Sequence, residues 1–175
     1  MFRADAPALY LLTLITWFVF VTSICHADYR LASGAGADRV VVMKKERTLL
    51  LLDHGAVLKK YRVALGGEPV GPKRKSGDHK TPEGIYVLDR PKRTQPLLPL
   101  PAHFLSQHGG SRARGEVRSD PGGDVMIHGL PNGLGWMGST HRLRDWTDGC
   151  IAVTDEEMDE IWQAVPDGTV IEINP

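Results

Sequence analysis

The sequence predicts a mainly β (α+β) domain with one helix near its carboxyl end. Two observations carry this prediction. Short apolar segments separated by turn residues recur along the chain, and Gly and Pro are abundant at 19 and 12 of 175 residues. The length is that of one domain with its own hydrophobic core, and the sequence shows no internal repeat.

The first half predicts an antiparallel meander followed by a long loop. Residues 40–43 and 49–52 are apolar segments on either side of a polar turn, and residues 57–65 alternate in polarity. Residues 66–84 are rich in glycine, proline and charge, which predicts a loop.

The second half predicts further strands around a glycine-rich loop. Strands are expected at 85–88, 124–128 and 149–153, and the loop at 129–146.

A single helix is expected after the strand at 149–153. Thr154 and Glu157 form a capping-box pattern at its start. Its core-facing positions follow at helical spacing: Met158, Ile161, Trp162 and Val165. A turn at 166–168 ends the helix, and residues 169–173 form the last strand.

The first 27 residues predict a secretory signal peptide. The uncharged apolar stretch from Leu9 to Ile24 is followed by the small residue Ala27, after which we expect cleavage. Because Asp5 offsets Arg3, an uncleaved N-terminal membrane anchor is the alternative, and it would be the chain's only membrane contact. In either case the folded part is expected outside the cytoplasm.

The charge balance argues against a nucleic-acid partner. Lys and Arg number 21, as do Asp and Glu, so the formal net charge is zero. A protein that binds nucleic acid would carry a basic excess or a clustered basic face.

Export makes Cys150 the candidate nucleophile. Cys25 falls in the predicted signal, so Cys150 is the single cysteine of the mature chain and has no internal disulfide partner. A thiol reacts as its thiolate, and with an ordinary pKa of about 8.5 it needs a base or a cation beside it. The alternative is a buried, inert cysteine.

His128, at the end of a predicted strand, is the candidate base for Cys150. The other histidines that could serve are His141, His79 and His54. Backbone N–H groups around Gly149 and Cys150 are candidates for an oxyanion hole, since glycine permits close approach.

Three motifs then give the chain a specific resemblance. Residues 77–84 read G-D-x-x-T-P-E-G, residues 121–135 read P-G-G-D-h-M-I-H-G-x-P-N-G-x-G, and residues 145–153 read D-W-T-D-G-C-I-A-V. Over residues 39–175 the sequence resembles the L,D-transpeptidase catalytic domain (YkuD-like) family, in the subgroup with the D-W-T-D-G-C-I-A-V motif. The resemblance implies a β-sandwich or mixed-sheet domain with one helix after the catalytic cysteine.

The resemblance also implies a reaction and a place for it. Cys150 would attack the amide between the third, diamino residue and the fourth, D-alanine residue of a peptidoglycan stem in the periplasm. His128 would accept and return the proton, and the carbonyl of Gly129 would orient its imidazole. D-Ala would leave, and an amine would take the acyl group, with no metal or organic cofactor. The implied partners are stem peptides, with a wall-anchored lipoprotein as a further acceptor or substrate.

Two other functions remain open at this point. Water in place of the amine would give an L,D-carboxypeptidase or an amidase. A degenerate, non-catalytic wall-binding protein is the alternative outside enzymology.

The chain departs from the commoner family motif beside the nucleophile. Asp148 and Ala152 stand where that motif has His and Arg or Asn, so a substrate carboxylate needs another clamp. The candidates are His141, Arg142 and Arg144, which can equally be solvated loop residues. Trp136 and Trp146 are expected to wall the substrate groove or to pin the loop by packing. Asp148 is expected to hydrogen-bond within its own turn.

Residues 90–118 form an anomalous segment. It is rich in Pro, Leu, Gly and Arg without a period, where relatives carry an aromatic string similar to S-R-F-Y-R-S-L-H-I-S-Y-P-N. Codons for the residues from Gln95 onward can be chosen so that the frame shifted by one base encodes that whole string. We therefore hypothesise a pair of compensating frameshifts, with a subgroup-specific loop as the alternative; codons incompatible with the aromatic string would refute the frameshifts.

Overall fold

The computed structural model describes residues 31, 34–90, 102–106 and 125–175 of the chain, the segment 102–106 by its backbone alone. The predicted signal peptide at 1–27 and most of the anomalous segment at 90–118 lie outside these residues. No helix in the described part is long and apolar enough to cross a membrane.

The described elements confirm the predicted fold class, a mixed sheet with few helices. They are β1 (Arg39–Met43), β2 (Thr48–Asp53), β3 (Ala56–Arg62), β4 (Gly84–Asp89), β5 (Ala102–Ser106), β6 (Met126–His128), β7 (Ile151–Ala152), α1 (Asp155–Ala164) and β8 (Thr169–Asn174). A 3-10 helical stretch, Gly135–Leu143, is interrupted at Gly138 and lies in the loop between β6 and β7.

The strands form one sheet in the order β3-β2-β1-β8-β4-β5-β6-β7. β1, β2 and β3 make the predicted antiparallel meander. β1 pairs with β8 in parallel, and β6 pairs with β7 in parallel, while β4 and β5 join these halves by antiparallel pairing. The two parallel pairs bring distant parts of the chain side by side.

The chain that follows β3 returns to the far edge of the sheet. Ala64 exchanges backbone hydrogen bonds of 3.0 and 2.9 Å with Ala152 of β7, and Gly66 bridges Thr147. The loop that starts at Gly66 is thereby placed beside the segment that precedes β7, which contains Cys150.

Helix α1 begins where the sequence predicts. The Glu157 N–H donates to the Thr154 hydroxyl at 3.3 Å, and the Thr154 N–H donates to the Glu157 carboxylate at 3.0 Å. Met158 and Ile161 are fully buried in the core, and Trp162 packs against it half-buried. The capping box sets the start of the helix, and the apolar face packs it into the core.

The structure corrects the details of the second half. β6 and β7 are shorter than the predicted strands at 124–128 and 149–153, and the loop at 129–146 contains 3-10 turns. β5 lies in the anomalous segment, where the lack of a polarity period hid it. Its backbone pairs with β4 and β6, and the frameshift hypothesis stays a prediction.

Candidate active site

His128 ends β6 with its imidazole held by the backbone. Its Nδ1 lies 2.6 Å from the carbonyl oxygen of Gly129. Because a carbonyl oxygen only accepts, Nδ1 carries the hydrogen and Nε2 is left with a lone pair. Burial lowers the pKa of His128, an effect that the Gly129 bond partly offsets. The ring is therefore neutral at pH 7 and able to take up a proton at Nε2.

Cys150 directly precedes the strand that pairs with β6. In the parallel register Ile127 lies beside Ile151 and His128 beside Ala152. Side chains of neighbouring residues in register point to the same side of a sheet, so Ala152 points to the same side as His128, and Cys150 is two residues before Ala152. Cys150 is half-buried and is not in a disulfide. The sheet register thus puts Cys150 at the start of the strand next to His128, two residues from the register partner of His128.

The turn before Cys150 is tied by one hydroxyl. Thr147 Oγ1 donates to the carbonyl of Cys150 at 2.8 Å and accepts from the N–H of Gly149 at 3.1 Å. The Gly149 N–H, expected to bind an oxyanion, is thus engaged within the turn. An oxyanion role for it requires this bond to be shared or lengthened.

Glycine is required at position 149. Its φ is +126°, a region that L side chains rarely adopt. A Cβ there would lie 2.4 Å from the carbonyl oxygen of Lys80. Residues 147–149 form the turn that leads to the candidate nucleophile Cys150, and we call it the nucleophile turn. It therefore packs directly against the backbone of the loop that follows β3.

Asp155 holds the loop that follows His128. Its Oδ1 accepts from the N–H of Leu130 at 2.7 Å, and a Cβ on Gly129 would lie 2.5 Å from the same oxygen. Asp155 is also the first residue of α1. The start of the helix thereby fixes the peptide whose carbonyl orients the His128 ring.

The motif at 77–84 contacts the nucleophile turn. His79 Nδ1 lies 2.7 Å from Asp148 Oδ1, and the buried ammonium of Lys73 donates to the carbonyl of Asp148 at 3.1 Å. Asp148 was expected to bond within its own turn, but its side chain pairs with His79 instead. The reason is that the closing bridges after β3 bring this loop within reach.

Asp78 anchors that loop. Burial alone would raise its pKa, but hydrogen bonds from the backbone N–H groups of Arg74, Lys75 and Lys80 and from the Lys73 ammonium lower it well below its usual range. A carboxylate so held stays ionised, and its hydrogen bonds link residues 73–75 to Lys80.

A largely apolar groove of about 590 Å³ lies in the loop between β6 and β7, and neither His128 nor Cys150 is among its lining residues. Among the sequence candidates, Trp146, His141 and Arg144 line it, and the Trp146 ring meets the His128 ring edge-on at 6.0 Å. Trp136 is 81% exposed and is not among the lining residues. Of the two tryptophans, Trp146 is therefore the one placed to wall a substrate groove.

Arg142 is not presented to the groove. Its guanidinium pairs with Glu157, the residue that caps α1. Only 14% of the Arg142 side chain is exposed. Arg144 is exposed at the groove, so of the two arginines it is the one open to a substrate carboxylate.

His141 is buried in the wall of the groove, 4% exposed. Its Nδ1 accepts from Trp146 Nε1 at 3.4 Å, and its Nε2 has no hydrogen-bond partner among the described residues. Burial foremost, and then the charges of Arg142 and His128, lower the pKa of His141 to about 4, against an opposing effect of Asp155.

This depressed pKa predicts acid sensitivity. The unfolded chain takes up a proton at His141 near pH 6.5, whereas the folded one does so only near pH 4. The contribution of neutral His141 to the free energy of unfolding is therefore fully present above pH 6.5. It is lost as the pH falls toward 4, and the loss from this residue is about 3 kcal/mol. Urea unfolding across this range should show the loss, and His141→Gln should reduce it.

His54→Gln is the control for that measurement. Asp53 raises the pKa of His54, so this residue contributes in the opposite direction and its removal should leave the acid-induced loss in place. Equal pH dependence in His141→Gln and the unaltered protein would contradict the assignment.

The geometry favours His128 over the other histidines as the base. His54 is in the β2–β3 turn, 89% exposed, and pairs with Asp53 at 2.6 Å. His79 is engaged by Asp148. A group with metal-ligand spacing, Asp38, Asp53 and His54, lies at the same exposed turn and not beside Cys150.

Sequence reasoning missed Asp145, the first residue of the last motif. Its Oδ1 accepts from the N–H of Leu65 at 2.9 Å, and its Oδ2 pairs with Arg47 at 2.8 Å. The carboxylate fixes the chain before Trp146 against the end of the meander. Its position inside the motif was the available signal, but its partners lie far away in sequence.

Comparisons with known proteins identify the family of the chain. The sequence model of the YkuD family, described as the L,D-transpeptidase catalytic domain, matches residues 37–173. The candidate L,D-transpeptidase YafK of Escherichia coli K12 is 28% identical over 131 residues, which are 72% of this chain and 46% of YafK. The chain thus spans about half the length of the curated relatives that it matches.

Solved structures share the fold. The helical cell shape determining protein Pgp2 of Campylobacter jejuni superposes with a TM-score of 0.54 at 20% identity, over 83% of this chain and 51% of Pgp2. L,D-transpeptidase 3 of Mycobacterium tuberculosis, in complex with a faropenem-derived adduct, superposes with a TM-score of 0.51 at 15% identity, over 79% of this chain and 60% of that one. At these identities the likeness concerns the fold alone.

Proposed function

The chain belongs to the L,D-transpeptidase catalytic domain (YkuD) family, and from this premise we propose that it is a cysteine L,D-transpeptidase of peptidoglycan. The observation that supports the proposal is the parallel β6–β7 register, in which His128 pairs with Ala152, two residues after Cys150. The substrate is a tetrapeptide stem, attacked at the amide between its third, diamino residue and its terminal D-Ala.

The reaction takes two steps. His128 Nε2 takes the proton from the Cys150 thiol, and the thiolate attacks the carbonyl of the diamino residue. The imidazolium returns the proton to the departing amine, D-Ala leaves, and a thioester remains. An amine of a second stem then attacks the thioester, with His128 again taking and returning the proton.

The Gly129 carbonyl supports both steps. It accepts from Nδ1 in either protonation state and so keeps Nε2 directed at the reacting atoms. A carboxylate does this work in many triads. A neutral carbonyl holds the ring without strongly favouring the imidazolium, consistent with a base whose pKa is lowered by burial.

In this proposal the substrate enters by the groove lined by Trp146, whose ring meets the His128 ring edge-on. Trp146 offers an aromatic wall, and Arg144 offers a cation for the terminal carboxylate of the stem.

The protein acts in the periplasm, exported by its first 27 residues, and remodels the cell wall there. An alkaline phosphatase fused after residue 27 tests export by its activity outside the cytoplasm.

His128→Gln tests the proposed base. A glutamine retains hydrogen-bonding ability but takes up no proton, so we expect D-Ala release from a disaccharide-tetrapeptide to fall roughly thousandfold at pH 7. His54→Gln, at the exposed β2–β3 turn, should release D-Ala at the normal rate. Near-normal release by His128→Gln would remove His128 from the mechanism.

The same assay separates transfer from hydrolysis. With a second stem present as amine acceptor, a transpeptidase forms a cross-linked product of defined mass. Release of D-Ala that gives only tripeptide under these conditions would replace the proposal by an L,D-carboxypeptidase.

A further inference from the structure

We propose that Lys73 is a positioning residue for the nucleophile, which holds the turn leading to Cys150 and favours the thiolate form of that cysteine. This rests on the proposed function, since it takes Cys150 to react as a thiolate.

Lys73 is buried to an extent that is rare for lysine. Its side chain is 3% exposed, and charged side chains are buried this far only when paired. Its ammonium donates to Asp78 Oδ1 at 2.9 Å and to the carbonyl of Asp148 at 3.1 Å. The second acceptor belongs to the peptide bond between Asp148 and Gly149, one residue before the nucleophile.

The loop around Lys73 is built to hold this ammonium. Asp78 Oδ2 accepts from the N–H groups of Arg74 and Lys75 at 2.7 and 3.1 Å, which fixes the carboxylate to which Lys73 is bound. A Cβ on Gly149 would lie 3.2 Å from Lys73 Nζ. The charge therefore lies against the backbone of the nucleophile turn.

The neighbouring charges decide what the ammonium does for Cys150. Two carboxylates, Asp78 and Asp148, lie near the turn and oppose ionisation of a thiol. Lys73 offsets the first, and His79, 2.7 Å from Asp148, faces the second. The Lys80 ammonium is directed away to the carbonyl of Val70. Removal of the Lys73 charge leaves the carboxylates under-compensated and disfavours the thiolate.

Alkylation by iodoacetamide across pH tests the proposal, with the adduct mapped to Cys150 by peptide mass spectrometry. In Lys73→Met the midpoint of the rate profile should move to higher pH, and the rate at pH 7 should fall roughly threefold to tenfold. Lys75→Met, an exposed lysine of the same loop, is the matched control and should follow the unaltered protein.

Lys73→Gln is the second variant. It keeps most of the length and the donor to Asp148 without the charge, so it should show the same shift if it folds. A folded Lys73→Met or Lys73→Gln with an unchanged pH profile would overturn the proposal. So would loss of the fold in both variants while Lys75→Met folds, because the lysine would then be purely structural.

The test does not depend on the peptidoglycan substrate. A shifted profile without any turnover of a stem peptide would support the role of Lys73 and contradict the proposed function. Normal turnover of the stem peptide together with an unshifted alkylation profile in the Lys73 variants would support the proposed function and contradict the role of Lys73.

Discussion

Cys150→Ser is expected to abolish turnover while leaving the fold intact. A serine hydroxyl is a much weaker nucleophile than a thiolate, and because it is far less acidic than a thiol, His128 generates much less of its reactive anion. We expect D-Ala release from a tetrapeptide stem to fall at least about a thousandfold. The thermal unfolding midpoint should change little, because oxygen replaces sulfur at a half-buried position.

Cys25→Ser is the matched control for that variant. It replaces the chain's other cysteine, in the predicted signal peptide, and should retain full activity. Near-normal turnover by Cys150→Ser would refute the assigned nucleophile.

Gly149→Ala is expected to have the largest effect on stability. The new Cβ would lie 2.4 Å from the carbonyl oxygen of Lys80, and the φ of +126° is strained for any L side chain. The positive φ and the overlap with backbone together should lower the free energy of unfolding by about 3 kcal/mol or more. Activity should fall as well, since the nucleophile turn must move away from the loop that supports it.

Gly36→Ala controls for the loss of glycine as such. A Cβ at Gly36 meets no atom within 4 Å, and this residue does not have a positive φ. Urea unfolding of both variants measures the difference. Equal stability of Gly149→Ala and Gly36→Ala would mean that the turn is not packed as described.

Local patterns were enough to predict much of the fold. The apolar alternation of the meander, the capping box of Thr154 and Glu157, and the core positions Met158 and Ile161 depend on neighbours in sequence. The parallel pairing of β1 with β8 joins residues more than a hundred positions apart. The local sequence of either strand does not indicate with which other strand it pairs.

In the candidate site, too, the residues recognisable from local sequence could be predicted, and those that depend on distant contacts could not. Cys150 and His128 could be proposed because their chemistry and motifs are local. The roles of Lys73, Asp145 and Asp148 could not, because each depends on the closing bridges after β3. Arg142 was one of the residues considered for the substrate clamp, yet the start of α1 lies near enough for Glu157 to engage it.

The most direct test of the central claim is intact-mass spectrometry of the purified protein incubated with a disaccharide-tetrapeptide. We predict an acyl adduct whose mass equals that of the substrate less D-Ala, mapped to Cys150, together with free D-Ala. A folded protein that forms no such adduct, or carries it on another residue, would contradict the role of Cys150 as the nucleophile.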